Sequence, residues 1–211
     1  GNVNSDFSIG GNLTVTGTVD IDGAATTDGI TNAGNFSTDG GTIKLDGNYP
    51  TGTDNVALGD TALDSVESGA QYNVAIGHAA GTALTTGDQN VAVGAFALDA
   101  QTTASTNTAV GYAALSSNTD GVANVGGGLL ALGSNTTAVS NTAVGYAALD
   151  ATTTGGLNTA VGQDALGANT TASNGTAVGY QALGANTTGA GNTALGNQAL
   201  DANTTASNNT A

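Results

Sequence analysis

Basic residues are nearly absent from this chain, and that scarcity excludes several classes of protein. Among 211 residues there is one Lys or Arg against sixteen Asp and Glu, which gives a formal net charge of -15. Without cationic side chains to neutralise phosphates, the chain lacks the electrostatic attraction on which binding to nucleic acid and to anionic lipid depends. We therefore expect no nucleic-acid partner and no insertion of this segment into a membrane.

Cysteine, methionine and tryptophan are missing altogether, and aromatic residues make up only 4% of the chain. The missing cysteines exclude a disulfide framework and zinc-thiolate sites. No apolar run approaches the roughly 18 residues that a membrane helix needs. Acid-base catalysis is also difficult to assemble from one His, one Lys and no Arg. The sequence predicts a protein that is not an enzyme and has no cofactor and no metal site.

Repetition is what the chain has in abundance. The string Asn-Thr-Ala-Val-Gly, or a close variant, recurs every seventeen residues after a first step of eighteen. Residues 55–208 make nine units and a tenth starts at Asn209, so we expect the natural protein to continue past Ala211. The nine units open at Asn55, Asn73, Asn90, Asn107, Asn124, Asn141, Asn158, Gly175 and Asn192.

The repeat predicts a parallel β-solenoid. Glycine inside every unit, β-branched apolar residues and an apolar spacing of two argue against a helix. A leucine-rich repeat would need several leucines per unit, and these units have one or two. Each unit would instead form one coil that stacks on the next at about 4.8 Å, with Asn over Asn and Val over Val. A fifth-position glycine, from Gly59 to Gly196, is expected where the backbone turns or closely approaches its neighbour.

Alternation along the short strand predicts which side chains share a face. The apolar fourth position lies on one face with the second, and we expect this face to form the core with a ninth-position leucine. The third position points the other way as a stripe of small side chains. We predict that three chains bury this stripe around a common axis as an obligate homotrimer. The predicted interface residues are Ala57, Ala75, Ala92, Ala109, Ala143, Ala160, Ala177 and Ala194.

The first 54 residues follow a different pattern. Apolar residues such as Ile9, Leu13 and Val15 fall on odd positions, with polar residues between them, as in a half-buried strand. This segment has too little apolar material for a core of its own. We predict two parts, an interleaved β-stalk over residues 1–54 and the solenoid over residues 55–211.

The unit Asn-x-Ala-Val-Gly-x-x-Ala-Leu, as in Asn141 to Leu149, resembles the head repeats of trimeric autotransporter adhesins. Those heads are trimers of left-handed parallel β-rolls, so the resemblance implies that fold, although their units are usually shorter. The Thr-, Asn- and Gly-rich style, with Leu13-Thr14-Val15 near the start, looks more like phage fibre and appendage proteins. Both resemblances imply an extracellular protein that takes part in adhesion.

Few residues are candidates for a binding site. Tyr112, Tyr146 and Tyr180 occupy the sixth position of alternate coils, where they could contact a receptor or simply cover a corner of the coil. His78 is expected at the surface rather than as a metal ligand shared by three chains. Asp20-Ile21-Asp22-Gly23 is expected to be an acidic turn rather than a calcium loop. Tenth-position carboxylates never fall in adjacent coils, which limits their repulsion; they are Asp64, Asp99, Asp150 and Asp201.

Repetition without a catalytic site favours a structural role. The leading hypothesis is a segment of a phage tail fibre or extracellular appendage that mediates or presents attachment to a host-cell glycan or protein. The alternative is the head of a trimeric autotransporter adhesin on a bacterial outer membrane. An ice-binding solenoid is a third class, but the consecutive Thr187 and Thr188 argue against a broad two-column threonine array.

Overall fold

A computed structural model describes residues 54–211, and this part of the chain is an all-β parallel solenoid. Its strands form one parallel sheet in sequence order, so every strand pairs with the strand of the next coil. Along the described residues no helix is long and apolar enough to cross a membrane. The strands are β1 Val56–Leu58, β2 Val74–Ile76, β3 Val91–Val93, β4 Thr108–Val110, β5 Val125–Gly127, β6 Thr142–Val144, β7 Thr159–Val161, β8 Thr176–Val178 and β9 Thr193–Leu195.

The pairing register confirms the predicted repeat. Val91 pairs with Thr108 and Ala92 with Ala109, a step of one seventeen-residue unit, and β1 pairs with β2 across the single eighteen-residue unit. The nine strands therefore define about eight stacked coils. The predicted stalk, residues 1–54, lies outside the described residues except for Asp54, and the predicted acidic turn at residues 20–23 lies outside them too.

Small side chains fill the interior of each coil. The third- and eighth-position alanines and the ninth-position leucine form one continuous hydrophobic core along the axis, for example Ala143, Ala148 and Leu149, which have no exposed surface. A coil of seventeen residues encloses little space, and one leucine with two alanines occupies the apolar part of it. The ninth-position leucine is thus a core residue, as predicted.

The prediction for the strand faces is wrong, because the structure inverts it. Ala75, Ala109, Ala143, Ala160, Ala177 and Ala194 are completely buried within a single chain, Ala92 nearly so, and Ala57 packs against the same core. Side chains inside the coil cannot meet another chain, so these alanines are not the trimer interface. The second- and fourth-position residues, expected inside, lie outside, and Val110 and Val144 are about half exposed. The narrow coil selects the smaller side chain for its interior.

Glycine is needed at the fifth position because the backbone closely approaches the next coil there, as the sequence predicts. Their φ angles are positive, 138° at Gly128 and 137° at Gly145, a region that side chains rarely adopt. A Cβ added at Gly128 would also overlap the carbonyl group of Gly145 in the next coil, reaching its carbon at 2.7 Å. Backbones of successive coils therefore approach here too closely for any other residue.

The first-position asparagines form a ladder inside the solenoid. In every step except the one from Gly175, the side-chain Oδ1 accepts the backbone N–H of the next residue in the column, as Asn73 Oδ1 does from Asn90 at 2.9 Å. The Nδ2 group donates to a carbonyl of its own coil, as Asn73 does to Gly87 at 2.9 Å. Each amide thus closes one coil and fixes the next, which supplies partners for polar groups buried away from water.

A second asparagine ladder occupies the twelfth position. Asn135 Nδ2 donates to Asn118 Oδ1 at 2.6 Å, and Asn118 Nδ2 donates to the Gly121 carbonyl of its own coil at 3.0 Å. Thr152 interrupts this column. Its shorter side chain leaves Asn135 Oδ1 buried without a hydrogen-bond partner in the described part of the chain.

Completing the second ladder should stabilise the protein. In Thr152→Asn, the new amide can donate to Asn135 Oδ1 and to the Gly155 carbonyl, as its equivalents do in neighbouring coils. We expect a gain of about 1 to 2 kcal/mol in the free energy of unfolding, since a buried acceptor regains its partner. Urea unfolding followed by circular dichroism measures the gain. Thr152→Val is the matched control and should lose stability, and a Thr152→Asn variant no more stable than the native chain would contradict the ladder.

Candidate functional site

The outer face of the sheet carries an apolar stripe that runs the length of the solenoid. Its fourth-position column is Leu, Ile or Val in every coil except the fifth, where Gly127 stands, and its second-position column is Val or Thr. The large apolar side chains that protrude most on this face are exposed by 37% to 72%. They are Leu58, Ile76, Val110, Val125, Val144, Val161 and Leu195. Continuous exposed apolar surface of this kind marks a site of association.

The sixth-position tyrosines form a column on a different part of the coil. Tyr112, Tyr146 and Tyr180 are exposed by 53%, 50% and 44%, so about half of each residue is accessible to solvent. They lie in alternate coils, about 9.6 Å apart along the axis at two coil spacings. Their role in binding stays a prediction.

An aromatic cluster joins this column near the start of the solenoid. The ring of Phe96 makes edge-to-face contacts with His78 and Tyr112, with centroid distances of 5.2 and 5.7 Å. His78 Nδ1 lies 3.5 Å from Asp60 Oδ2, and both side chains are largely exposed. His78 is thus a surface residue in this chain, as expected. Across residues 54–211 no group of His, Cys, Asp and Glu side chains is arranged to hold a metal ion.

Three of the Asn-x-Thr triplets, the acceptor signal for N-glycosylation, begin inside the solenoid. Asn135, Asn169 and Asn186 open these triplets, and each is at most 1% exposed and hydrogen-bonded within the twelfth-position ladder. Their side chains are not accessible in the folded chain. The role of these asparagines in turns and in the hydrogen-bonded core explains the three triplets better than N-glycosylation does.

The described surface has a trough of about 400 Å³ on the sixth to ninth coils. Its floor is made of glycine and alanine, because the tenth position is Gly167 and Gly184 in two successive coils. Asp150 and Asp201, at the tenth position of the coils on either side, bound it. The seventh position contributes Ala147, Asp164 and Gln181, and the eleventh contributes Ala168 and Ala185.

The trough is acidic and its carboxylates interact. Partial burial raises the pKa of Asp150 above its usual range, and the negative charge of Asp164 raises it further. The spacing of the tenth-position carboxylates keeps like charges out of adjacent coils within that column. Asp164 belongs to the seventh position, so this spacing does not separate it from Asp150. A search for carboxylates one coil apart on neighbouring columns would have found this pair.

No protein-family model matches the chain, and comparisons with curated proteins and with solved structures return no significant match.

Proposed function

We propose that this chain is a structural segment of an extracellular fibre, such as a phage tail fibre or a similar appendage, and that it assembles as a homotrimer that presents a host-binding surface. The observation that carries the proposal is the in-register ladder of nine strands with an apolar stripe along its outer face. A stack of about eight coils extends roughly 38 Å at a spacing of about 4.8 Å, and its hydrogen bonds run along that axis.

A copy of the same chain is the partner that fits this stripe best. The stripe repeats with each coil, so a parallel copy presents the same apolar columns at the same spacing over the full length. Three copies around a common axis would remove these side chains from water, at about 25 cal/mol for each Å² of apolar surface buried. Because the alanine stripe is already inside the coil, the interface we propose is formed by the second and fourth positions.

Charges placed on the outer strand face should dissociate the trimer. We expect the native chain to sediment at three times the 20.0 kDa of one chain. The triple variant Val110→Asp, Val144→Asp, Val161→Asp should sediment as a monomer with an unchanged circular dichroism spectrum, because these side chains lie outside the core. Sedimentation equilibrium gives both masses.

The matched control for this experiment is Val139→Asp. Val139 is exposed by 39%, similar to the stripe residues, but it lies outside the strands, in the segment that connects β5 to β6. It should leave the mass unchanged. A folded native monomer, or equal dissociation by Val139→Asp, would reject the proposed interface.

A further inference from the structure

The trough on the sixth to ninth coils is formed by a local change in the repeat. Apart from Gly133 in the fifth coil, the other coils carry Asp, Thr or Ser at the tenth position, but Gly167 and Gly184 remove the side chain in two consecutive coils. Neither of these two glycines has a positive φ, so the backbone there does not require glycine. The missing side chains therefore open a volume of about 400 Å³, within the range of small-molecule sites.

Hydrogen-bond donors and hydrogen-bond acceptors both line this trough. The Oε1 atom of Gln181 accepts a bond from Gln198 Nε2 at 3.3 Å, which leaves the Nε2 group of Gln181 as a donor with no partner among residues 54–211. The Asp164 carboxylate accepts the side-chain amide of Gln163 through Oδ2, and within residues 54–211 its Oδ1 has no hydrogen-bond donor. Vicinal hydroxyl groups of a sugar both donate and accept, so they match a carboxylate beside an amide.

Two tyrosines are adjacent in sequence to residues that line the trough. Tyr146 and Tyr180 immediately precede the trough residues Ala147 and Gln181, and about half of each side chain is exposed. Their separation of two coils is about 9.6 Å, long enough for more than one sugar ring to lie between them. An aromatic ring offers an apolar face on which the C–H surface of a pyranose can pack, next to a polar tip.

We propose that this trough binds a neutral oligosaccharide of two or three pyranose rings, which packs against Tyr146 and Tyr180 and hydrogen-bonds to Asp164 and Gln181. The inference deepens the proposed role in host attachment and rests on it. The trough uses the seventh, tenth and eleventh positions, so it does not overlap the strand face proposed for the trimer.

The negative charge of the trough argues against anionic ligands. Three carboxylates, Asp150, Asp164 and Asp201, line the trough, and no Lys or Arg occurs among residues 54–211. Glycans that carry sialic acid or phosphate would be repelled. A metal ion is a poorer match than a sugar, because these carboxylates do not form a metal-binding group.

Binding is tested by calorimetric titration of the full chain with triacetylchitotriose, maltotriose, cellotriose and sialyllactose. At least one neutral trisaccharide should bind with a Kd of about 1 mM or tighter, and sialyllactose should not bind. Tyr180→Ala should weaken binding about fivefold to tenfold. The double variant Gly167→Thr, Gly184→Thr introduces the side chain that Thr82 has at the same position of the second coil. It should weaken binding more than about tenfold by filling the trough.

The chain supplies a matched control in Tyr112→Ala. Tyr112 has the same position in its coil and a similar exposure, but it lies two coils before the trough, so affinity should not change. No binding of any neutral trisaccharide, an equal loss in Tyr112→Ala, or binding of sialyllactose alone would overturn the site. Calcium titrated alone should give no heat, and saturable calcium binding lost in Asp164→Asn would also overturn it. A trimeric chain that binds no sugar would refute this site and leave the fibre proposal standing.

Discussion

Gly128→Ala should destabilise the solenoid by more than about 4 kcal/mol, whereas Gly127→Ala, one residue earlier, should be neutral or stabilising by up to about 1 kcal/mol. The two glycines are neighbours in sequence, at the end of β5 and immediately after it. They differ in what a methyl group would meet. A comparison of the pair therefore tests the close stacking of coils with a minimal chemical change.

At Gly128 two costs add. A Cβ there would reach the carbonyl carbon of Gly145 at 2.7 Å, and the backbone of the next coil cannot move without breaking strand pairing. The φ of 138° adds strain of about 1 to 3 kcal/mol for any residue with a side chain. At Gly127 the nearest atom is a methyl of Val144 at 3.8 Å, an ordinary contact. Alanine there restricts the unfolded chain without a clash.

Urea unfolding of the two variants, followed by circular dichroism, measures the difference. Gly196→Ala separates the two costs, because its φ is 136° but a Cβ would meet only Ala199 at 4.0 Å. We expect it to lose about 1 to 3 kcal/mol, between the other two. If Gly128→Ala unfolds at the same urea concentration as Gly127→Ala, the coils are not stacked as closely as described.

The repeat made the architecture predictable, but not the direction of its side chains. A fixed interval of seventeen residues, with glycine in every unit and an apolar spacing of two, indicates coils in register, and Ala143 pairs with Ala160 as that interval requires. Alternation assigns Thr142 and Val144 to one face and Ala143 to the other, but it does not say which face is inside. The larger side chain would lie in the core of a wide sandwich. The narrow coil accepts only the smaller one.

A signal within the sequence could have corrected that assignment. The second position varies between Val and Thr, and the fourth includes Gly127, so both tolerate polarity or a missing side chain. The third position is Ala or Gly in every unit, which indicates a strict limit on size. A limit on size is typical of a packed interior, and variation in polarity is typical of a surface.

The trough was harder to predict from the sequence than the repeat architecture. Its wall combines the seventh, tenth and eleventh positions of four coils, and no single column shows a pattern. Gly167 and Gly184 look like ordinary turn residues until Asp150 and Asp201 are seen on either side of them. The buried role of the asparagines was missed for a related reason, because Asn-Thr-Thr is equally typical of a polar surface turn.

Asn141→Ala should lower the free energy of unfolding by about 3 to 5 kcal/mol, because one side chain supplies two buried backbone groups with partners. Its Oδ1 accepts the N–H of Asn158 at 2.9 Å, and its Nδ2 donates to the carbonyl of Gly155 at 2.9 Å. Alanine removes both bonds where water has no access. Asn197→Ala is the control, since Asn197 is exposed, and it should change stability by less than about 0.5 kcal/mol.

The native sequence already contains one such interruption. Gly175 replaces the first-position asparagine of the eighth coil, and the backbone N–H of Asn192 has no acceptor among residues 54–211. Gly175→Asn should therefore raise stability by about 1 kcal/mol, in the opposite direction to Asn141→Ala. Urea midpoints of the two variants should move to opposite sides of the native value. Movement in the same direction would contradict the role of the ladder.

Asn141→Asp distinguishes the accepting from the donating bond. A buried carboxylate can still accept from Asn158 but repels the Gly155 carbonyl, whereas a protonated carboxyl can donate to it. The folded-state pKa of the introduced group is thus expected above its unfolded value of about 3.9, so its stabilising contribution is present below that pH and lost as pH rises. The deficit relative to the native chain should be larger at about pH 7 than at about pH 3.5. An equal deficit at both pH values would show that the donated bond to Gly155 contributes nothing to stability.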